Sequence, residues 1–260
     1  MTALLDVSEV KVHFGGVRAV DGVSLKLVEG VYGLVGPNGS GKSTLLGALS
    51  RMTNLTSGSL CFEGHNYHGD SPAHTARMGI GRTFQTVRLL PALSVLENVM
   101  LGADARLYGQ SVTASWVMPW RTRRWEKACR DAAEETIARL ELNGLEQSPT
   151  GLLPYGTQRR VEIARALAAH PKLLLFDEPT AGMNREERDK IGQVMRQMHA
   201  DGVTQVLVEH DMQMITDVCD HVFVMNFGKV IAEGTAATVV QNGEVQEAYL
   251  GKRGKEHATA

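Results

Sequence analysis

Nine consecutive residues, Gly36-Pro37-Asn38-Gly39-Ser40-Gly41-Lys42-Ser43-Thr44, limit the folds open to this chain more than any other stretch. They fit the pattern G-x-x-x-x-G-K-[ST]. They join an apolar run, VYGLVG (31–36), to a helical pattern, STLLGALSRM. A buried strand that turns through glycines into a helix is an anion site. Glycines let backbone N–H groups converge on phosphate oxygens, where a Cβ would block the approach. The following helix aims its positive end at the same anion. Lys42 adds a mobile charge for β- and γ-phosphates, and Ser43 a hydroxyl for Mg2+.

The rest of the chain supplies a sheet for that loop. LDVSEVKVHF and GVSLKLVE (within 4–29) alternate as strands, separated by a turn in GGVRAVDG, and GSLCFEG is another short strand. The middle is different. SVLENVMLGADARL, from Ser94, has helical spacing with Val95, Val99 and Leu101 near one face. RRWEKACRDAAEETIARLELNG (123–144) is rich in helix formers and ends at Asn143-Gly144, a C-cap signal. Alternation then resumes. KLLLF is a buried strand. NREERDKIGQVMRQMHADG is an amphipathic helix with Asn184 as N-cap, Glu187 completing a capping box, and Ile191, Val194, Met195 and Met198 as the inner stripe. VTQVLVEH is a strand, MQMITDVCD a helix, and HVFVMNFGKVIAEG two strands about Asn226-Phe227-Gly228. This order predicts an α/β fold with a mainly parallel sheet covered on both faces. Its expected parts are a core segment at 1–85, a helical subdomain at 86–160, a second core segment at 161–251 and a flexible tail at 252–260.

Composition narrows the partners. With 43% hydrophobic residues, the 260-residue chain buries a sizeable core, and a net charge of −2 gives no electrostatic case for nucleic acid. Cys61, Cys129 and Cys219 are far apart and form no metal spacing, which suits free thiols in a reducing compartment. The N-terminus lacks a signal-peptide pattern, and no run approaches the roughly 18 apolar residues that span a bilayer. The expectation is a soluble, cytosolic chain whose membrane role runs through a partner.

Further residues carry chemistry. LLLFDEP (173–179) ends an apolar strand in Asp177 and Glu178, where open α/β sheets gather ligands. Asp177 suits Mg2+ held through water, and Glu178 suits polarising an attacking water. VLVEHD repeats the design with Glu209, His210 and Asp211. His210 is a candidate for bonding the γ-phosphate or positioning the water. Gln85, in GRTFQ, follows a short extended segment and offers an amide oxygen to Mg2+ and water. LLPYGTQRR (152–160) puts Pro154, Tyr155 and Gly156 in a tight turn before the helix VEIARALAAH.

In this order the elements resemble the ATP-binding subunits of ABC transporters, over about residues 4–251. The resemblance implies a P-loop NTPase: a RecA-like core with an antiparallel β subdomain and an inserted α-helical subdomain. It implies adenine stacking on Phe14, a Walker A loop at 36–44 and a Q-loop at Gln85. Leu153, Pro154, Tyr155, Gly156 and Thr157 become a signature motif acting on the partner subunit's ATP. Asp177 becomes the Walker B acid, Glu178 the catalytic carboxylate, TAGMN (180–184) the D-loop and His210 the switch histidine. ATP and Mg2+ are the implied cofactors, with Ser43, Gln85 and Asp177 around the metal. GIGRTFQTVRLLPALSVLENVMLG, YGTQRRVEIARALAAHPKLLLFDEPTAGMN, VEHDM, GKVIAEGT and EAYLG look like the ATPases of branched-chain amino acid importers. The spacer SWVMPWRTRRW (115–125) is similar to the larger of that system's two ATPase types. Importers for urea and short amides share much of the pattern.

The implied assembly is a head-to-tail pair of ATPase subunits, homo- or heteromeric, that sandwiches two ATPs. It sits peripherally on the inner membrane face on two permease subunits, served indirectly by an extracytoplasmic solute-binding protein. Two positions depart from the superfamily. Asn184 stands where Asp is commonest, and Pro154 replaces the Ser of L-S-G-G-Q. Proline lacks that hydroxyl and a backbone N–H, which leaves the backbone of Tyr155, Gly156 and Thr157 at a helix N-terminus. Trp116, Trp120 and Trp125 fall among Arg121, Arg123 and Arg124, either as subdomain packing or as a docking surface. Two rival functions fit less well. ABC-type ATPases of DNA repair or translation carry long coiled coils or two fused cassettes, whereas this chain has one cassette. A regulatory binding module would not need both Glu178 and His210.

Overall fold

The computed structural model describes residues 3–107 and 119–250. Its strands are β1 (Leu5–Phe14), β2 (Val17–Leu27), β3 (Val31–Val35), β4 (Ser57–Phe62), β5 (His65–Asn66), β6 (Ile80–Arg82), β7 (Leu173–Asp177), β8 (Thr204–Val208), β9 (His221–Asn226) and β10 (Lys229–Gly234). Its helices are α1 (Lys42–Leu49), α2 (Pro72–Met78), α3 (Val95–Leu107), α4 (Pro119–Arg139), α5 (Tyr155–Ala168), α6 (Arg185–Ala200), α7 (Met212–Val218), α8 (Ala236–Val240) and α9 (Gly243–Leu250). They fall into two compact units, Met1–Pro72 with Thr204–Ala260, and Ala73–Val203.

The first unit contains an antiparallel sheet in the order β2-β1-β4-β5, with Leu5, Val7, Val10 and Val12 buried along β1. The β1–β2 turn is Gly15-Gly16 alone, because Phe14 pairs with Val17. Arg18 to Gly22, which read as turn, are strand. Gly22 takes φ 81 inside β2, so Asp-Gly here marks an irregularity in the ladder rather than its end. The unit's second group of strands centres on β3, parallel to β8 and to β9, with β10 antiparallel to β9. Every residue of β3 and β8 is buried, as in a parallel sheet covered on both faces. The β9–β10 hairpin turns at Phe227 (φ 45) and Gly228 (φ 79), both left-handed as a type I′ turn requires.

In the second unit, β6 and β7 form a parallel pair, and α3, α4 and α5 pack on one another. Val95, Leu96, Val99 and Ala103 are the buried face of α3. Leu101, expected on that face, is 41% exposed. Helix α3 starts in a capping box: Ser94 N–H donates to Glu97 Oε2 at 2.8 Å, and Glu97 N–H to Ser94 Oγ at 3.2 Å. The Ser94 hydrogen bonds hold the Glu97 carboxyl below the usual carboxylate range. Helix α4 stops at Arg139, before the expected Asn143-Gly144. Glu141 takes the left-handed position (φ 53), Leu142 N–H reaches Ile137 O at 3.0 Å, and Glu141 N–H reaches Ala138 O at 3.2 Å. This paired cap closes the helix three residues early and buries Leu142. Of the Trp/Arg cluster, Trp116 lies outside the described residues, and Trp120 to Trp125 fall in the first turns of α4.

Burial pushes the Cys129 thiol up to about 11 and the Cys219 thiol up to about 12, so both stay protonated. No helix among the described residues is long and apolar enough to cross a membrane. Helices α3 and α5 approach closely at Gly102, where a Cβ would stand 1.8 Å from Arg165 O. Gly102→Ala is therefore expected to push α3 off α5, costing about 3 kcal/mol. A thermal melt should read this as a loss of roughly 6–12 °C; an unchanged melt would mean that the two helices part freely.

Candidate active site

The phosphate loop follows β3 because the buried strand ends at Val35 and Gly36 turns the chain. Gly36 has φ 148, and a Cβ there would stand 2.1 Å from Met225 O and 2.9 Å from Ser40 Oγ. Gly41 has φ 105, and its Cβ would stand 2.2 Å from Ala19 O. Both ends of the loop are thus pressed onto carbonyls of other strands, and only glycine fits. The β9–β10 hairpin braces the loop: Gly228 N–H donates to Ser40 O at 2.9 Å, and Asp21 N–H to Gly228 O at 2.8 Å. Pro37, Asn38 and Gly39 form the loop's outer turn, and Lys42, Ser43 and Thr44 open α1. No side chain caps that first turn, so its amides suit an anion.

Lys42 is buried. Its ammonium donates to Gly36 O at 2.8 Å, to Pro37 O at 2.9 Å and to Ser40 Oγ at 3.5 Å. These three acceptors are neutral oxygens of the loop itself, so the ammonium is folded back onto the loop. Phe14, at the end of β1, is 56% exposed and presents a ring to solvent. His210 follows β8 and is exposed. Its backbone N–H donates to the buried Glu209 carboxylate at 3.2 Å, and Asp211 caps α7 by accepting from Gln213 and Met214 N–H.

The acid pair belongs to the second unit. Asp177 is the last residue of β7 and is buried, with Arg82 of the adjacent β6 donating to its Oδ2 at 3.1 Å. Glu178 follows in a left-handed conformation, φ 48, unusual for a residue with a Cβ. Gln85 is exposed, and its Nε2 donates to Glu178 Oε2 at 2.9 Å. Two residues 93 positions apart are brought together, and the Gln85 amide oxygen remains the group suited to a hard cation.

The signature stretch differs in detail from a turn before a helix. Pro154 is the N-cap, and Tyr155, Gly156 and Thr157 are already the first turn of α5. Leu153 O accepts from Gln158 Nε2 at 2.9 Å, and Pro154 O from Gln158 N–H at 2.9 Å. Asn184 caps α6 as its position predicts: its side chain accepts from Glu187 N–H at 3.0 Å, and Glu187 Oε2 accepts from Asn184 N–H at 3.0 Å. A Cβ on Gly156 would stand 2.4 Å from Glu187 Oε1, so the signature glycine is packed against the D-loop's capping box within one chain.

Three contributors have no signal in the sequence: Arg82 on Asp177, the buried Arg159 beneath the acid turn, and Tyr249. Tyr249, in α9, lines a pocket together with Val35, the residue before Gly36, and burial pushes its hydroxyl up. The C-terminal helix thereby lies near the root of the phosphate loop.

Such a loop at a strand end, with a strand-terminal acid pair beyond a helical insert, defines a P-loop ATP-binding cassette. A family model described as ABC transporter matches residues 20–181, and one described as branched-chain amino acid ATP-binding cassette transporter matches residues 229–255. The chain is 35% identical to the high-affinity branched-chain amino acid transport ATP-binding protein BraF of Pseudomonas aeruginosa, covering 96% of this chain and 98% of that protein. Among solved structures it is similar to an ABC transporter cassette in its ADP conformation, with a TM-score of 0.83, 32% identity and coverage of 96% and 100%. A dimeric cassette bound to ADP and Pi gives a TM-score of 0.74, 26% identity and coverage of 89% and 98%. The chain belongs to the ABC transporter family, as an ATPase subunit of the branched-chain amino acid transport branch.

Two outcomes follow from the close approaches. Gly36→Ala should weaken Mg·ATP binding by at least about tenfold, because the loop must leave Met225. Gly39→Ala meets no atom within 4 Å and should cost only its left-handed strain, about 1–2 kcal/mol. Equal effects in a nucleotide titration would refute this account. Separately, Gly156→Ala should lower stability by about 1 kcal/mol through loss of the α6 cap. The same change in a Glu187→Ala background should be close to neutral in a double-mutant cycle.

Proposed function

We propose that the chain is the motor subunit of an importer of branched-chain amino acids, hydrolysing ATP at a site completed by a second ATPase subunit. The observation that carries this reading is the 2.9 Å bond between Gln85 Nε2 and Glu178 Oε2. It joins the two groups that the reaction needs beside the attacking water.

In this reading Phe14 stacks on adenine, and Gly36 to Thr44 wrap the phosphates with backbone N–H groups. Lys42 exchanges the Gly36 and Pro37 carbonyls for β- and γ-phosphate oxygens. Ser43, Gln85 and Asp177 supply the oxygens that would hold Mg2+, and the donor types fit a hard cation: a hydroxyl, an amide and a carboxylate, the last contacted by Arg82. The ion, when bound, neutralises charge that builds up on the transferring phosphoryl group. Glu178 accepts the proton of the water that attacks the γ-phosphorus, as the bond to the bridging oxygen breaks and ADP leaves. His210 bonds the γ-phosphate. Leu153, Pro154, Tyr155, Gly156 and Thr157 act on the partner subunit's ATP, chiefly through backbone donors, and Asn184 lies in the D-loop. The cassette sits peripherally on the inner membrane face on two permease subunits, served indirectly by an extracytoplasmic solute-binding protein.

Glu178→Gln tests the role of the carboxylate. It should lower hydrolysis by about 10²–10⁴, leave nucleotide binding intact and trap an ATP-bound dimer in sizing experiments. An unchanged rate would remove Glu178 from the reaction. In cells whose uptake depends on this chain, the same variant should stop accumulation of labelled leucine, isoleucine and valine. Loss of urea uptake alone would point to the short-amide importers instead.

A further inference from the structure

We propose that Arg159 and Glu162 are a positioning pair that ties the signature helix α5 to Glu178 and Gln85, so that the seating of residues 153–157 governs the hydrolytic competence of the same chain's acid pair. This rests on the roles proposed above for Glu178 and Gln85.

Arg159 is 0% exposed, and a buried guanidinium survives only with its donors matched. A guanidinium has five N–H groups in one plane, and the structure gives them five acceptors. Nε donates to Pro179 O at 3.1 Å. Nη2 donates to Asp177 O and to Glu178 O, each at 3.0 Å. Nη1 donates to Phe84 O and to the Glu162 carboxylate.

The acceptors matter because of where they lie. Asp177 O and Glu178 O belong to the two peptide planes that flank the Glu178 Cα. Those planes define its φ and ψ, and the φ of 48° is strained for a residue with a Cβ. Arg159 thus holds the backbone conformation that aims the Glu178 carboxylate. The pair also grips the Gln85 segment on both sides. Phe84 O, just before Gln85, meets Nη1, and Arg88 N–H, three residues after, donates to Glu162 Oε1 at 3.2 Å.

Arg159 lies one turn into α5 from Tyr155. A shift of the helix as its N-terminus meets a phosphate carries the guanidinium with it, and with it the orientation of Glu178 and Gln85. Each nucleotide site of the dimer then informs the other through this pair.

Two variants of the full chain separate positioning from simple stability. Arg159→Lys keeps the charge beside Glu162, but its single nitrogen cannot span four carbonyls. The double variant Arg159→Gln with Glu162→Gln leaves no lone charge buried. Both should lose about tenfold to a hundredfold in kcat, while the KM and Kd for Mg·ATP stay within about threefold. The Hill coefficient for ATP should fall towards about 1. A folded variant with kcat and Hill coefficient close to wild type would overturn the proposal. So would a loss of ATP binding that matches the loss of rate, or failure of both variants to melt cooperatively. Wild-type chain that fails to hydrolyse Mg·ATP would instead overturn the mechanism on which this rests.

Discussion

The phosphate loop depends on two close approaches of backbone to backbone. Gly36 rests on the Met225 carbonyl and Gly41 on that of Ala19. Because β1–β2 and β9 both touch the loop, the antiparallel sheet and the β9–β10 hairpin form its foundation rather than decoration. Gly228 extends this brace by joining Ser40 to Asp21 through its own N–H and carbonyl. A loop fixed this way is held in shape before any ligand arrives, and a preformed site costs less to order on binding. Tyr249 of α9 packs near the same root, lining a pocket with Val35.

The second unit uses a different principle. Its acid pair and Gln85 sit on a polar network rather than on close backbone contacts. Arg82 fixes the Asp177 carboxylate, Gln85 the Glu178 carboxylate and Arg159 the backbone beneath both. The buried Arg159 has each of its donors matched, which offsets its desolvation and favours one arrangement. The strained φ of Glu178 is the feature such a network is needed to hold.

How much of this was legible in the sequence depended on range. Local chemistry was readable: the glycine loop, the acids at the end of β7, and the Asn184–Glu187 capping box all depend on neighbours within a few residues. Asp21-Gly22 misled because a glycine in left-handed conformation also occurs inside a strand, at a bulge. Asn143-Gly144 misled because Glu141 took the left-handed cap position first. Leu101 misled because three apolar residues cannot define a helix face, and α3 buries Leu96 and Ala103 instead. The contacts of Arg82 and Arg159 were invisible for another reason. They join segments 18 to 95 residues apart in the chain, and no periodicity records such a meeting.

The proline in the signature stretch now has a physical setting. As N-cap of α5, Pro154 supplies a fixed φ of −55 and no side-chain cap. The first-turn amides of Tyr155, Gly156 and Thr157 thereby have no capping side chain at the N-cap position. What the site loses in side-chain contact it recovers in rigidity. Gly156 is pressed against Glu187, whose carboxylate is itself tied to Asn184, and one turn on Arg159 anchors the helix to the acid pair. A helix end held at two points presents its dipole in a fixed direction. An anion site built on backbone donors depends on that direction more than on any single side chain.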